Sequence, residues 1–185
     1  MNKRLLIAAT VASVAWGAAL AGDGDLRKTT LIDKPNPSVE EVDAALFPKQ
    51  IADLKAECAQ MEKAGLRCQS VIPKSSLDTI QVTFARGSAL LTEEGKGFLR
   101  SVGAALQRKS GVWKSLAIEG HADATGSEAV NRRLSQSRAD SAKSFLVAEF
   151  GLSNIETVGR SSDKLRDTDN PASALNRRVE FIPDW

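Results

Sequence analysis

The sequence predicts an α+β domain: a two-layer sandwich in which helices cover one face of a mixed β-sheet, in the order βαβαββ, behind a short helical extension. Three observations point there. An apolar run, Leu116-Ala117-Ile118, ends at Gly120 like a buried strand. A long helical pattern follows it, and closes near Gly151 before a short strand at Ile155–Val158. Near the C-terminus, Val179 and Phe181 alternate with Arg178 and Glu180, the period of a half-buried strand. Two strand–helix–strand crossovers place the helices on one side of the sheet.

In chain order, Lys3 and Arg4 precede an apolar run from Leu5 to Leu20, and Ala19-Leu20-Ala21 fits the small-x-small rule. Residues 1–21 therefore read as a cleaved signal peptide. No cysteine follows the cleavage point, which argues against a lipid anchor. Cleavage takes the basic residues from 25 to 23 against 23 acidic ones, so the mature chain is formally neutral. That balance points to neither a nucleic-acid binder nor a membrane-surface binder. At 42% hydrophobic and 26% charged, the composition is that of an ordinary globular protein.

Residues 22–37, with Lys34-Pro35-Asn36-Pro37, read as a linker. Residues 38–78 read as a helical extension. Ser38 and Glu41 have capping-box spacing before Val39, Val42, Leu46 and Phe47, and a second helix runs from about Lys49 with Ile51, Leu54, Cys58 and Met61 on one face. Cys58 and Cys68 are the only cysteines, and in an exported chain such a pair reads as a disulfide. The 57 residues of 22–78 are too few, and too helical, for an eight-stranded membrane barrel.

The main domain, 79–185, opens with Ile80, Val82 and Phe84 in alternation, read as its first strand. Thr92 caps the next helix, whose buried face carries Phe98, Leu99, Val102, Ala105 and Leu106. After Gly120 comes the polar loop His121–Ser127. Thr125 and Glu128 have capping-box spacing at the start of the long helix. On a helical wheel Val130, Leu134, Ala139, Ala142, Phe145 and Leu146 make an apolar arc, and Asn131 and Arg138 fall inside it. A guanidinium there is costly unless it is paired or meets a ligand. Helical side chains lean toward the N-terminus, so Arg138 reaches back toward the loop carrying Asp123. Two readings are open: the pair holds loop to helix, or it grips a ligand with an ammonium and a carboxylate on neighbouring atoms.

The segments Gly120-His121-Ala122-Asp123-Ala124-Thr125-Gly126-Ser127, Asn131-x-x-Leu134-Ser135-x-x-Arg138-Ala139 and Asn176-Arg177-Arg178-Val179-Glu180 closely resemble the OmpA/MotB C-terminal-like family. Phe84, Ser88-Ala89 and Leu91-Thr92 agree with its entry segment. The resemblance runs from about Thr79 to Ile182. It implies non-catalytic, non-covalent binding of peptidoglycan through diaminopimelate, with Asp123 taking the ammonium and Arg138 the carboxylate. It further implies Asn131 as an amide donor to the ligand, Arg177 as a second arginine at the pocket, and Thr125 in its lining. Ala85 stands where an Asp is common, and Gly159-Arg160-Ser161-Ser162 departs from the usual last loop.

The expected protein is thus a periplasmic wall binder of the cell envelope, compatible with association at the outer membrane, without cofactor, metal or nucleic-acid partner. A rival is an adaptor or stator-like subunit of an envelope machine, holding another envelope protein through residues 22–78. A hydrolase would have to rest on His121, the only histidine, against the several ligands a zinc amidase needs. The bland role for His121 is to hydrogen-bond the loop and orient Asp123.

Overall fold

The computed structural model describes residues 27–85 and 87–185. The signal peptide expected at 1–21 lies outside the described residues, as does the start of the expected linker. Ten elements follow: β1 (Arg27–Leu31), α1 (Val39–Leu46), α2 (Lys49–Lys63), β2 (Lys74–Thr79), α3 (Glu93–Arg108), β3 (Ser115–Gly120), α4 (Glu128–Phe150), β4 (Ile155–Gly159), a 3-10 turn (Ala174–Asn176) and β5 (Val179–Asp184). The fold is α+β, as the sequence predicts.

The strands form one mixed sheet in the order β1-β2-β5-β3-β4. β5 is antiparallel to both its neighbours, while β1 pairs β2 and β4 pairs β3 in parallel. Three crossovers therefore build the sheet instead of two. The additional one comes from β1, which lies in the stretch read as linker. Arg27-Lys28-Thr29-Thr30-Leu31 offers little apolar alternation, yet it pairs residue for residue with Lys74–Asp78.

A second correction concerns the first strand of the main domain. The alternating Ile80, Val82 and Phe84 make only a single bridge, Phe84 to Leu91. The sheet strand is the polar Lys74–Thr79, which starts before residue 79 and is buried from Ser75 onward. Ser75 Oγ donates to the Leu46 carbonyl at 2.5 Å, and Ser76 Oγ to Thr29 Oγ1 at 2.9 Å, so both buried hydroxyls are satisfied.

The helices cover one face. Leu77, Leu116, Ile118, Val179 and Phe181 meet Phe98, Leu99, Val102, Leu106, Ala139, Ala142 and Leu146 in one core, closed by Val42 and Leu46 of α1. Ser38 and Glu41 form the expected capping box, and Thr92 caps α3. α4 comes so close to β3 that a Cβ on Gly120 would run into the Ser135 carbonyl. The closeness follows from what α4 buries: Asn131, Ser135, Ala139 and Ala142 are small or slender. Val130, placed in the apolar arc by the wheel, is 49% exposed. Cys58 and Cys68 form a disulfide that ties α2 to the segment returning to β2. Among the described residues no helix is long and apolar enough to cross a membrane.

Candidate functional site

The site grows from the loop between β3 and α4. Past Gly120 the chain stays bound to its neighbours: His121 N donates to the Arg178 carbonyl (2.9 Å), Ala122 N to Ser161 O (2.7 Å) and Ala124 N to Pro171 O (2.9 Å). These three bonds fix where Asp123 emerges. Its Oδ1 accepts from the Thr125 backbone N–H at 3.0 Å and from the Thr125 hydroxyl. Its Oδ2 accepts from Arg177 Nη1 at 2.7 Å. Burial pushes the Asp123 carboxyl up, but the bonds from Thr125 and Arg177 outweigh it and hold the pKa below the usual value. Asp123 is therefore ionised at neutral pH. Of about four acceptor positions on a carboxylate, three are used, which leaves one for a further donor.

Thr125 thus braces Asp123 instead of capping α4, and the cap is Ser127. Asn131, one turn into α4, gives its amide hydrogens to the carbonyls of Asp123 (3.0 Å) and Thr125 (2.7 Å). Its Nδ2 is committed to the loop's shape, which differs from the direct ligand contact the resemblance implies.

Arg138 and Asp123 do not pair. Arg138 Nε donates to the Ser88 carbonyl at 3.2 Å. Its guanidinium carbon sits 5.2 Å from the Phe84 ring centroid, a cation–π arrangement. Among the described residues no carboxylate lies within ion-pair distance of it. Burial lowers its pKa, the nearby Arg177 pushes the same way, and Asp123 opposes them. The two terminal nitrogens are left to offer a planar fork beside an ionised Asp123.

Arg177 is placed by a device the sequence reading did not single out. Asn176 is fully buried. Its Oδ1 accepts from Arg166 N and Asp167 N, and its Nδ2 donates to the carbonyls of Asp167, Asn170 and Pro171. One amide thus folds the loop before β5 and presents Arg177, whose side chain is 47% exposed. Ser88 and Phe84, which hold Arg138, also went unassigned. Their only sequence signal was membership of the entry segment.

His121 does not orient Asp123. It points to the opposite face of the sheet, its side chain is wholly buried, and neither ring nitrogen has a hydrogen-bond partner. Shallow hollows flank α4, one lined by Arg132, Gln136 and Gly159, the other by Leu90, Asp140 and Phe145. Neither is lined by Asp123, Arg138 or Arg177.

The fold thus presents one carboxylate and two guanidinia at a loop–helix junction on a helix-backed mixed sheet. The chain belongs to the OmpA family, whose profile matches residues 83–178, or 96 of 185. It is similar to the probable lipoprotein YiaD of Escherichia coli, 35% identical over 103 residues covering 54% of this chain and 46% of that protein. It is also similar to outer membrane porin F of Pseudomonas aeruginosa, 36% identical over 70 residues covering 36% and 20%. The chain thus spans less than half the length of these curated relatives. Among solved structures, the cell wall anchor of the T6SS from Pseudomonas aeruginosa matches with a TM-score of 0.51 at 25% identity, covering 71% of this chain and 96% of that one.

Proposed function

We propose that this protein binds peptidoglycan without catalysis or covalent attachment, gripping the free end of diaminopimelate in uncrosslinked stem peptides. That end carries an ammonium and a carboxylate on one carbon. Asp123 takes the ammonium on its remaining acceptor position, and Arg138 takes the carboxylate through its fork, a geometry that Lys cannot reproduce. Arg177 shares Asp123 and adds positive charge for the same carboxylate, Asn131 keeps the loop in shape, and Thr125 lines it. The observation that carries this reading is the half-buried Arg138 guanidinium, with no counter-charge of its own beside an ionised Asp123.

Family membership and the likeness to a T6SS cell wall anchor support wall anchoring. The proposed setting is the periplasm, after export on residues 1–21 and beside the outer membrane. A hydrolase is disfavoured because His121 is sealed away from any substrate. The adaptor reading uses the same module as its wall anchor, with the α2 arm meeting another envelope protein. Leu66 and Val71, in the segment that returns from α2 to β2, are 59% and 70% exposed, which favours a contact there.

Co-sedimentation with purified peptidoglycan tests the reading. Wild type should pellet with diaminopimelate-containing sacculi, and Asp123→Ala and Arg138→Ala should stay in solution while remaining folded. Undiminished pelleting of both folded variants would refute the assignment.

A further inference from the structure

On the face of the sheet away from the helices, three side chains converge that the binding site does not use. Glu119 and His121 alternate with Gly120 on and just past β3, and Glu180 is the cross-strand partner of Glu119 on β5. All three are buried. His121 Nε2 lies 3.7 Å from Glu180 Oε2 and 3.9 Å from Glu119 Oε2. These separations exceed a hydrogen bond, whose heavy atoms sit at about 2.7–3.2 Å. Neither ring nitrogen is satisfied, and Glu119 Oε2 is likewise without a partner.

We propose that Glu119, His121 and Glu180 form a binding site for a divalent cation of the zinc class. One nitrogen and two carboxylate oxygens, all within 4.8 Å of one another, form the ligand set. In a tetrahedral shell with bonds of about 2.0–2.1 Å, ligand atoms lie about 3.4 Å apart. The observed 3.7 and 3.9 Å need to contract by only a few tenths of an ångström. Three protein ligands leave a fourth position for water. Calcium and magnesium fit less well, since they take six or more oxygens.

The second oxygens of the same carboxylates are already held. Arg160 Nη2 donates to Glu119 Oε1 at 2.5 Å, and Arg27 reaches Glu119 Oε1 at 3.4 Å and Glu180 Oε1 at 3.6 Å. Such outer partners orient first ligands. Arg27, Arg160 and Arg178, the last acting on His121 by its charge, also oppose a second positive charge, so the competing occupant is a single proton on His121 bridging the two glutamates. The ligands come from adjacent strands and are sealed, so the cation would clamp β3 to β5 and activate no substrate. The sequence reading missed the set because it weighed the lone histidine and not the two carboxylates that strand pairing brings to it.

The full chain contains one histidine, so nitrogen-15 NMR of its imidazole reads the site directly. On titration with zinc chloride, the Nε2 resonance should move to a metal-bound position at one zinc per chain, with no response to magnesium chloride. Equilibrium dialysis should show the same single zinc, lost in Glu180→Gln and in His121→Gln. Imidazole resonances that stay put at tenfold excess zinc, including zinc bound elsewhere on the chain, would overturn the proposal. So would an imidazole that carries protons on both nitrogens throughout. The wild-type spectrum decides the matter even if a variant fails to fold.

Discussion

Two charged clusters of opposite character grow from one five-residue run, Glu119 to Asp123. On the far face of the sheet, Glu119 and His121 are 3% and 0% exposed and meet Arg27, Arg160 and Glu180. At the loop, Asp123 is nearly as buried at 8%, but its partner Arg177 is 47% exposed and Arg138 has no acidic partner among the described residues. Strand alternation sends Glu119 and His121 one way and Gly120 the other, and the turn after Ala122 then carries Asp123 toward α4. Charges inside the sheet are mostly paired with one another, apart from the His121 ring and one oxygen of Glu119, and act on stability. Charges at the loop leave a surplus guanidinium, the one that the proposed function gives to the ligand's carboxylate.

The largest expected effect lies in the buried cluster. Glu119→Ala strips a shared acceptor from Arg27 and Arg160, two charge-assisted hydrogen bonds that together cost about 3 kcal/mol in urea unfolding, while Arg27 keeps Glu180 and Arg160 keeps its contact with water. Should it cost no more than a surface substitution, the division between the two clusters fails. Next comes the loop. Asp123→Ala should weaken wall binding by about 2–3 kcal/mol, roughly 30-fold to 150-fold. Its folding free energy should move by only about 1 kcal/mol, because Arg177 is half in water. Arg138→Lys keeps the charge but loses the fork, and about a tenfold loss in sedimentation affinity is expected.

A smaller, opposite signature belongs to Asp78, paired with Arg178 at 3.0 Å on the buried face. Burial pushes its pKa up to about 6, and Arg178 only partly offsets that. A raised folded pKa means the fold favours the protonated acid. That contribution is complete below about pH 4, where the unfolded chain is also protonated, and is lost as pH rises through about 6. Unfolding free energy measured between about pH 4 and 7 should carry this downward component, and Asp78→Asn should remove it.

Much of the fold was legible because the helix-facing side of the sheet obeys the usual rules. Leu116, Ile118, Val179 and Phe181 alternate, and Phe98 to Leu106 repeat at helical spacing, so β3, β5 and α3 could be read from hydrophobicity. β1 and β2 could not. Their far face is filled by ions and hydroxyls, and Ser75, Ser76, Asp78 and Thr79 look like loop residues until their partners are in place. The apolar alternation that should mark a strand occurs one segment later, at Ile80 to Phe84, where the chain only turns. The same limit shaped the site. Wheel geometry brought Arg138 toward the loop, but the pairing of Asp123 with Arg177 depends on a buried Asn176 folding residues 166–171 from a distance. No local pattern reports that.

Wall binding as proposed depends on recognition of a zwitterion by a carboxylate and a guanidinium with no acidic partner among the described residues. Isothermal titration of the full chain with a soluble stem tripeptide ending in diaminopimelate, against the same peptide ending in lysine, tests this most directly. Lysine keeps the ammonium and lacks the side-chain carboxylate that Arg138 would hold. The prediction is measurable binding of the diaminopimelate peptide and at least tenfold weaker binding of the lysine peptide, a loss of about 1.4 kcal/mol or more. Equal affinities for the two peptides would contradict it.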